Sequence, residues 1–344
     1  MSRGKSTAVT VADVAARAGV SIGTASKALN GTGQLRDVTR EVVLNAAVEL
    51  GYSSQLLPKI DPKKRTYTVG ILTTDSIGRF TLPLLTGAED ALGPGQMSML
   101  LCESRGDPIR EQHYLRVLTA RRVDGVIVTG RSSDFRESLG RAFPVPVVYA
   151  LVESDNPHDL SILSDETGAG AVAARHLLNL GRTSIVHITG SASHIGVTRR
   201  TLGIETELSE QGRTLAAEPM YGSWSERWGR EAVTRLLRTK VHFDSIVGGS
   251  DQIARGAADA LRENHVAVPR EVSVVGIDNW DVMVEGSRPE LTTVDLNLRS
   301  IGNLAATKLL ESISAGHNVS EGTITVPSQL MPRGSTESIE AISV

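Results

Sequence analysis

The sequence predicts a small all-α head, a helix-turn-helix, followed by an α/β body of two doubly wound parallel-sheet lobes. Three observations carry this. Residues 10–30, TVADVAARAGVSIGTASKALN, give two short amphipathic helices meeting at a single glycine. From Thr68 onward, short apolar runs alternate with helical patterns in two successive series. Charge is also divided: residues 1–65 hold ten Lys/Arg against five Asp/Glu, net +5, which leaves −8 on the rest of a chain of net charge −3. A basic head on an acidic body is the asymmetry expected when one small module meets phosphates.

In the head, Thr10 and Asp13 form a capping-box pattern that starts the first helix. Val11, Val14, Ala15 and Ala18 then make a narrow apolar stripe, and Gly19 supplies the left-handed residue that ends it. Ser21 caps the second helix, with Ala25, Ala28 and Leu29 inward and Ser21, Thr24, Ser26 and Lys27 outward. Small residues at the crossing permit the steep approach of a DNA-reading helix-turn-helix. A third helix opens at Thr39-Arg40-Glu41, with Val42, Val43, Ala46, Ala47 and Leu50 on its buried side.

In the body, strands are expected at 69–75, 98–104, 125–130 and 145–151, with helices near 82–92, 108–121 and 134–142. The second series has strands at 184–190, 244–251 and 272–279 and helices near 168–180, 197–212, 226–238 and 252–264. Ligands of such sheets lie beyond the carboxyl ends of the strands, where this chain carries Asp75, Ser191, Asp251 and Asp278. A chain of 344 residues has room for such a division into two or three domains.

The string T-x-x-D-V-A-x-x-A-G-V-S-x-x-T-x-S-x-x-L-N at 10–30 resembles the DNA-binding head of the lactose/galactose repressor (LacI–GalR) family, and the resemblance continues to about residue 333. It implies a head at 1–51, a hinge at 52–66 and a periplasmic-binding-protein-like body at 67–344. Within that body it implies a first lobe of about 67–166 and 296–324 and a second of about 167–295 and 325–338, the chain crossing three times. It further implies a transcriptional regulator, most simply a repressor, that binds a pseudo-palindromic double-stranded operator as a homodimer. A small carbohydrate-like effector between the lobes would change operator affinity. Base reading falls on Ile22, Gly23 and Lys27, and phosphate contacts on Thr10, Ser21, Thr24, Ser26, Asn30 and Thr39. Effector contacts fall on Phe80, Arg200, Trp224, Asp251 and Asp278, while Leu151, Ser250 and Leu296 stand where polar residues are usual. Fewer polar groups imply an effector smaller or less hydroxylated than a typical hexose.

The hinge departs from the family. Pro58 and Pro62 lie four residues apart, so no helix runs through both without losing hydrogen bonds, and Asp61 stands where a groove-wedging leucine belongs. An extended hinge is expected instead, with Lys59, Lys63, Lys64 and Arg65 tracking phosphates. The segment after Gly334 contains no leucine heptad of the kind that builds tetramers.

Other classes fit poorly. The lone Cys102, inside the run Met99–Cys102, permits no intrachain disulfide or cysteine zinc cluster. No segment has the roughly 18 apolar residues of a membrane span, and no signal-peptide core precedes the head, so a cytoplasmic chain is expected. GAGAVA at 168–173 matches the G-x-G-x-x-A dinucleotide pattern, but His187-Ile188-Thr189-Gly190 stands where the ribose-binding acid belongs. A nicotinamide-dependent oxidoreductase is therefore disfavoured, as is a small-molecule-binding protein without a regulatory role, which the head argues against. No cofactor, metal or catalytic site is expected.

Overall fold

The computed structural model describes residues 9–29, 35–50, 65–93, 96–140 and 143–336. Helix α1 (Val11–Ala18) starts on a complete capping box, in which the Asp13 carboxylate accepts from the Thr10 amide at 2.7 Å. Gly19 ends it at φ 65°, a conformation that costs a residue with a Cβ considerably more. Helix α2 (Ile22–Leu29) starts on Ser21, whose Oγ accepts from the Thr24 amide at 3.1 Å. Helix α3 (Asp37–Glu49) completes the head. Val14, Ala15, Ala25, Ala28, Leu29, Val43, Ala46 and Ala47 form its buried core. Val42, expected on the buried side, is instead 45% exposed. So small a core covers only the Val43–Ala46–Ala47 stripe, and Val42 sits at its edge.

The first lobe runs through β1 (Thr68–Thr73), α4 (Thr81–Leu92), β2 (Ser98–Glu103), α5 (Pro108–Ala120), β3 (Gly125–Thr129), β4 (Phe135–Arg136), β5 (Val147–Ala150), β6 (Glu153–Ser154) and β7 (Leu160–Ser164). The second holds α6 (Glu166–Asn179), β8 (Ile185–Thr189), α7 (Ile195–Glu210), β9 (Met220–Tyr221), α8 (Glu226–Leu236), β10 (Ser245–Gly248), α9 (Asp251–Glu263), β11 (Ser273–Ile277), α10 (Asp281–Val284) and β12 (Thr292–Asp295). The chain then returns to the first lobe for α11 (Leu298–Ala315) and β13 (Gly322–Val326), and ends in the second with β14 (Gln329–Met331). It therefore passes between the lobes three times.

The main sheet of each lobe has six strands, in the orders β13-β7-β5-β3-β1-β2 and β14-β12-β11-β10-β8-β9, and β4 pairs with β6 in a separate two-stranded sheet. All ladders are parallel except β12 with β14. In each lobe the first strand lies one in from an edge, which puts loops from neighbouring strands on either side of a crevice. The helix expected at 134–142 is not there: Phe135–Arg136 pairs with β6, and the chain then turns through Gly140 at φ 79°. Cys102 is buried in β2 among Leu72, Leu118 and Val126.

Helices pack over the sheets in close pairs, each crossing at reciprocal glycines. A Cβ on Gly87 of α4 would overlap the Arg299 carbonyl, and one on Gly302 of α11 the Leu84 carbonyl. Gly170 of α6 and Gly203 of α7 repeat this against the carbonyls of Arg200 and Thr167. Gly229 of α8 and Gly256 of α9 do so against those of Ile253 and Glu226. The G-x-G of residues 168–170 thus has structural work: the Gly168 amide donates to the capping Asp165 carboxylate at 2.7 Å, and Gly170 admits α7.

Candidate nucleic-acid interface and ligand cleft

On the head, packing α2 by its alanines leaves one polar face outward. Ser21, Gly23 and Lys27 are exposed and Ile22 is 59% exposed, while Thr24 and Ser26 are half-buried. The Ser21 and Thr24 hydroxyls lie 2.9 Å apart at the helix start. Thr10 is exposed beside its cap and Thr39 half-buried on α3. Asn30 and Lys59, with Gly51 and the 52–64 part of the hinge, lie outside the described residues.

In the body, a cleft of about 740 Å³ opens between the lobes. Phe80, Arg200, Trp224 and Asp278 line it together, although nearly two hundred positions separate the first from the last. On the first lobe, the Asp75 carboxylate accepts from the amides of Phe80 at 2.8 Å and Thr81 at 3.0 Å, which starts α4 and fixes Phe80 at the mouth. Leu151 and Leu296 give the floor an apolar strip, and Ser250 is withdrawn as the cap of α9.

On the second lobe, Arg200 is almost fully buried in α7. Its Nε donates to Glu166 Oε2 at 2.5 Å, its Nη1 to the Gly249 carbonyl at 2.5 Å, and its Nη2 lies 3.9 Å from Asp278. Asp278 has φ 116°, a region in which L-residues are strained and which clusters at functional sites. Trp224 lies flat over Gly190, where any Cβ would meet the indole, with its ring 6.1 Å from that of His194.

Asp251 stands apart from the other four, buried behind the wall and not in the cleft lining. It accepts from Thr293 Oγ1 at 2.5 Å and from the Trp280 amide at 2.7 Å, and so positions Trp280 in the cleft. Burial pushes its carboxyl up to about 7 against the pull of those hydrogen bonds. His187, also buried behind the wall, donates from Nδ1 to the Val247 carbonyl at 2.9 Å. Burial, helped by the Arg200 charge, lowers its imidazole to about 4.

Three cleft residues escape sequence reasoning. Arg79 crosses from the first lobe to Gln252, Asp278 and Trp280 of the second. Asp134 crosses to the start of α7, and Trp280 supplies a second aromatic wall. Phe80-adjacent position and strand-end position were the available signals for Arg79 and Trp280; Asp134 lies in the segment expected to be helical.

Comparison with known proteins agrees with this architecture. Residues 10–55 match the model of bacterial regulatory proteins of the lacI family, and residues 174–336 that of the periplasmic binding protein-like domain. The HTH-type transcriptional regulator DegA of Bacillus subtilis is 30% identical over 333 residues, covering 95% of this chain and 98% of its own. The chain belongs to the LacI family of bacterial regulatory proteins. The HTH-type transcriptional regulator RegA of Clostridium saccharobutylicum is 31% identical over 96% of this chain and 99% of its own. Among solved structures, a transcriptional regulator CelR–cellobiose complex has 26% identity and a TM-score of 0.66, covering 95% and 99%. The lac repressor dimer bound to operator and the anti-inducer ONPF has 24% identity and a TM-score of 0.68, covering 96% and 100%. As a LacI-family member, this protein is a DNA-binding transcriptional regulator whose polar α2 face and interlobe cleft occupy separate domains. No described helix is long and apolar enough to cross a membrane.

Proposed function

We propose that this regulator binds a pseudo-palindromic operator as a homodimer, with the exposed face of α2 from each head in a major groove. A small effector in the interlobe cleft changes that affinity. The domain division follows: head at 1–51, hinge at 52–66 and body at 67–344. Leu82 of α4, Leu101 of β2 and Ile109 of α5 are apolar and exposed on the first lobe, which leaves them available to a second copy of the chain. Within the head, Ile22, Gly23 and Lys27 read bases, and Thr10, Ser21, Thr24, Ser26 and Thr39 contact phosphates. The body acts by binding and not by catalysis.

The carrying observation is the convergence of Phe80, Trp224, Arg200 and Asp278 on one cleft between lobes that the chain crosses three times. Aromatic walls with a buried carboxylate and guanidinium suit the apolar face and the hydroxyls of a sugar-like molecule. Six carboxylates against four arginines line the space, which disfavours a strongly anionic effector. The solved CelR structure holds cellobiose, and a carbohydrate-like effector is the corresponding expectation here. Asp251 supports the site through Trp280 without touching the effector.

A thermal-shift screen of neutral sugars and related metabolites on the full chain tests this. A cleft ligand at a hundred times its Kd adds about 2.7 kcal/mol of stability and should change operator affinity in a gel-shift or anisotropy assay. Stabilisation by a ligand with no change in operator affinity would leave a binding protein and not a ligand-responsive regulator.

A further inference from the structure

Arg79 lies on the loop between β1 and α4, yet its guanidinium belongs to the other lobe. Nη1 donates to Gln252 Oε1 of α9 at 3.0 Å, and Nη2 pairs with the Asp278 carboxylate. The guanidinium carbon lies 4.8 Å from the ring centroid of Phe80 and 4.8 Å from that of Trp280. Its side chain is 11% exposed, and that of Asp278 is 4% exposed. A planar cation held between two aromatic rings, a buried carboxylate and an amide oxygen is a complete recognition site for a guanidinium. The chain fills that site with its own side chain. Burial lowers Arg79 to about 10, so it stays charged at neutral pH.

We propose that Arg79 is a tethered occupant of the effector cleft: it latches the two lobes together, and an effector reaches Asp278 and Trp280 only by displacing it. Arg79 thereby sets specificity. A displacing ligand must offer Asp278 a replacement donor, a hydroxyl pair or a cation, and must offer the rings a face to stack on. Ligands without a donor leave the latch closed and gain nothing from those walls. The inference rests on the cleft being the effector site, but its test uses no effector.

The test is chemical rescue in the full chain, with methylguanidinium as probe and urea as its neutral planar counterpart. Tryptophan emission and the thermal midpoint are followed during each titration. The wild type should give no saturable response to either. Arg79→Ala should bind methylguanidinium saturably, at least about tenfold more tightly than urea, because stacking and the ion pair both need the charge. Asp278→Asn in the Arg79→Ala background should abolish that preference. Amide exchange in the segments joining the lobes, around 164–166, 295–298 and 326–329, should accelerate in Arg79→Ala and slow again with methylguanidinium. Arg79→Gln serves the same titration if the alanine variant does not fold. No preference over urea in either variant, equal binding by the wild type, or unchanged exchange would overturn the proposal. Failure of the wild type to bind any metabolite would sink the effector-cleft reading instead, and leave the rescue result standing.

Discussion

Asp134 of the first lobe and His194 of the second are joined across the cleft at 2.8 Å, and the same carboxylate accepts from the Ile195 amide at 2.9 Å. Helix α7 has no capping side chain of its own at His194, so the opposite lobe caps it. Burial pushes the Asp134 carboxyl up, but hydrogen bonds from Ser132, His194 and Ile195, with the His194 charge, hold it below 3.8.

A depressed carboxyl contributes above its unfolded value and loses that contribution as the pH falls through its folded one. The Asp134 link should therefore hold at neutral pH and fail only below 3.8. Asp134→Ala should remove it at every pH and cost the first turn of α7 about 1 kcal/mol, the usual size of a lost cap. Amide exchange at Ile195 and Gly196 measures this. Unchanged exchange there would mean that α7 does not depend on the first lobe.

His187 and Asp251 give opposite pH dependences from behind one cleft wall. The unfolded His187 takes a proton below 6.5 while the folded one resists to about 4, so acidification across that window removes roughly 3 kcal/mol of stability. The folded Asp251 keeps its proton to about 7 while the unfolded one loses it at 3.8, so stability falls by roughly 4 kcal/mol as the pH rises across that window. The two slopes largely cancel in the wild type. Urea unfolding of His187→Leu from pH 4 to 7 should show stability falling more steeply with pH than in the wild type, and Asp251→Asn should show it rising. Parallel profiles for both variants and the wild type would refute this.

The head was the most legible part of the sequence because its signals are local. Thr10 with Asp13, Gly19 and Ser21 specify caps and turn within a dozen residues, and each does so in the structure. In the body, strands such as β1 and β3, buried on both faces, announce themselves as unbroken apolar runs. Leu160–Ser164 is as deeply buried, but its serines interrupt the run and hid a central strand. Strand β13 alternates in burial at a sheet edge and carries still less signal. The cleft was legible at Phe80, Arg200, Trp224 and Asp278 through the family pattern. Arg79 and Asp134 were not, because their partners lie 173 and 60 positions away on the other lobe. Asp251 sits at a strand end like Asp278, but which way its carboxylate turns depends on Thr293 and the Trp280 amide.

Lys27 tests the DNA-reading face. It is exposed on α2 beside Ile22 and Gly23, which offer no side-chain hydrogen bond. Lys27→Ala should weaken the preferred operator by about 1–3 kcal/mol and random DNA by clearly less, as a contact to guanine O6 and N7 requires. Anisotropy titrations at a fixed salt concentration separate the two. Equal losses on both sequences would make Lys27 a phosphate contact.

Arg200 balances buried charge, and one substitution would confound that role with the effector contact proposed for it. Its charge balances Glu166 and Asp278, both buried, and Glu166 also accepts from Ser133 Oγ of the first lobe at 3.1 Å. Arg200→Ala strands those carboxylates, and breaking a buried pair in this way costs about 3–5 kcal/mol. Loss of effector response in that variant would therefore say little about contact. Arg200→Met with Glu166→Gln removes both charges of the closer pair at similar volume and should recover more than half of the lost stability, measured by urea unfolding. Operator binding, which belongs to the head, should match the wild type. Effector affinity should stay low in the double variant, because no donor replaces Nη2 beside Asp278 at the cleft wall. Recovery of effector affinity along with stability would show that Arg200 holds the wall in place and never touches the ligand.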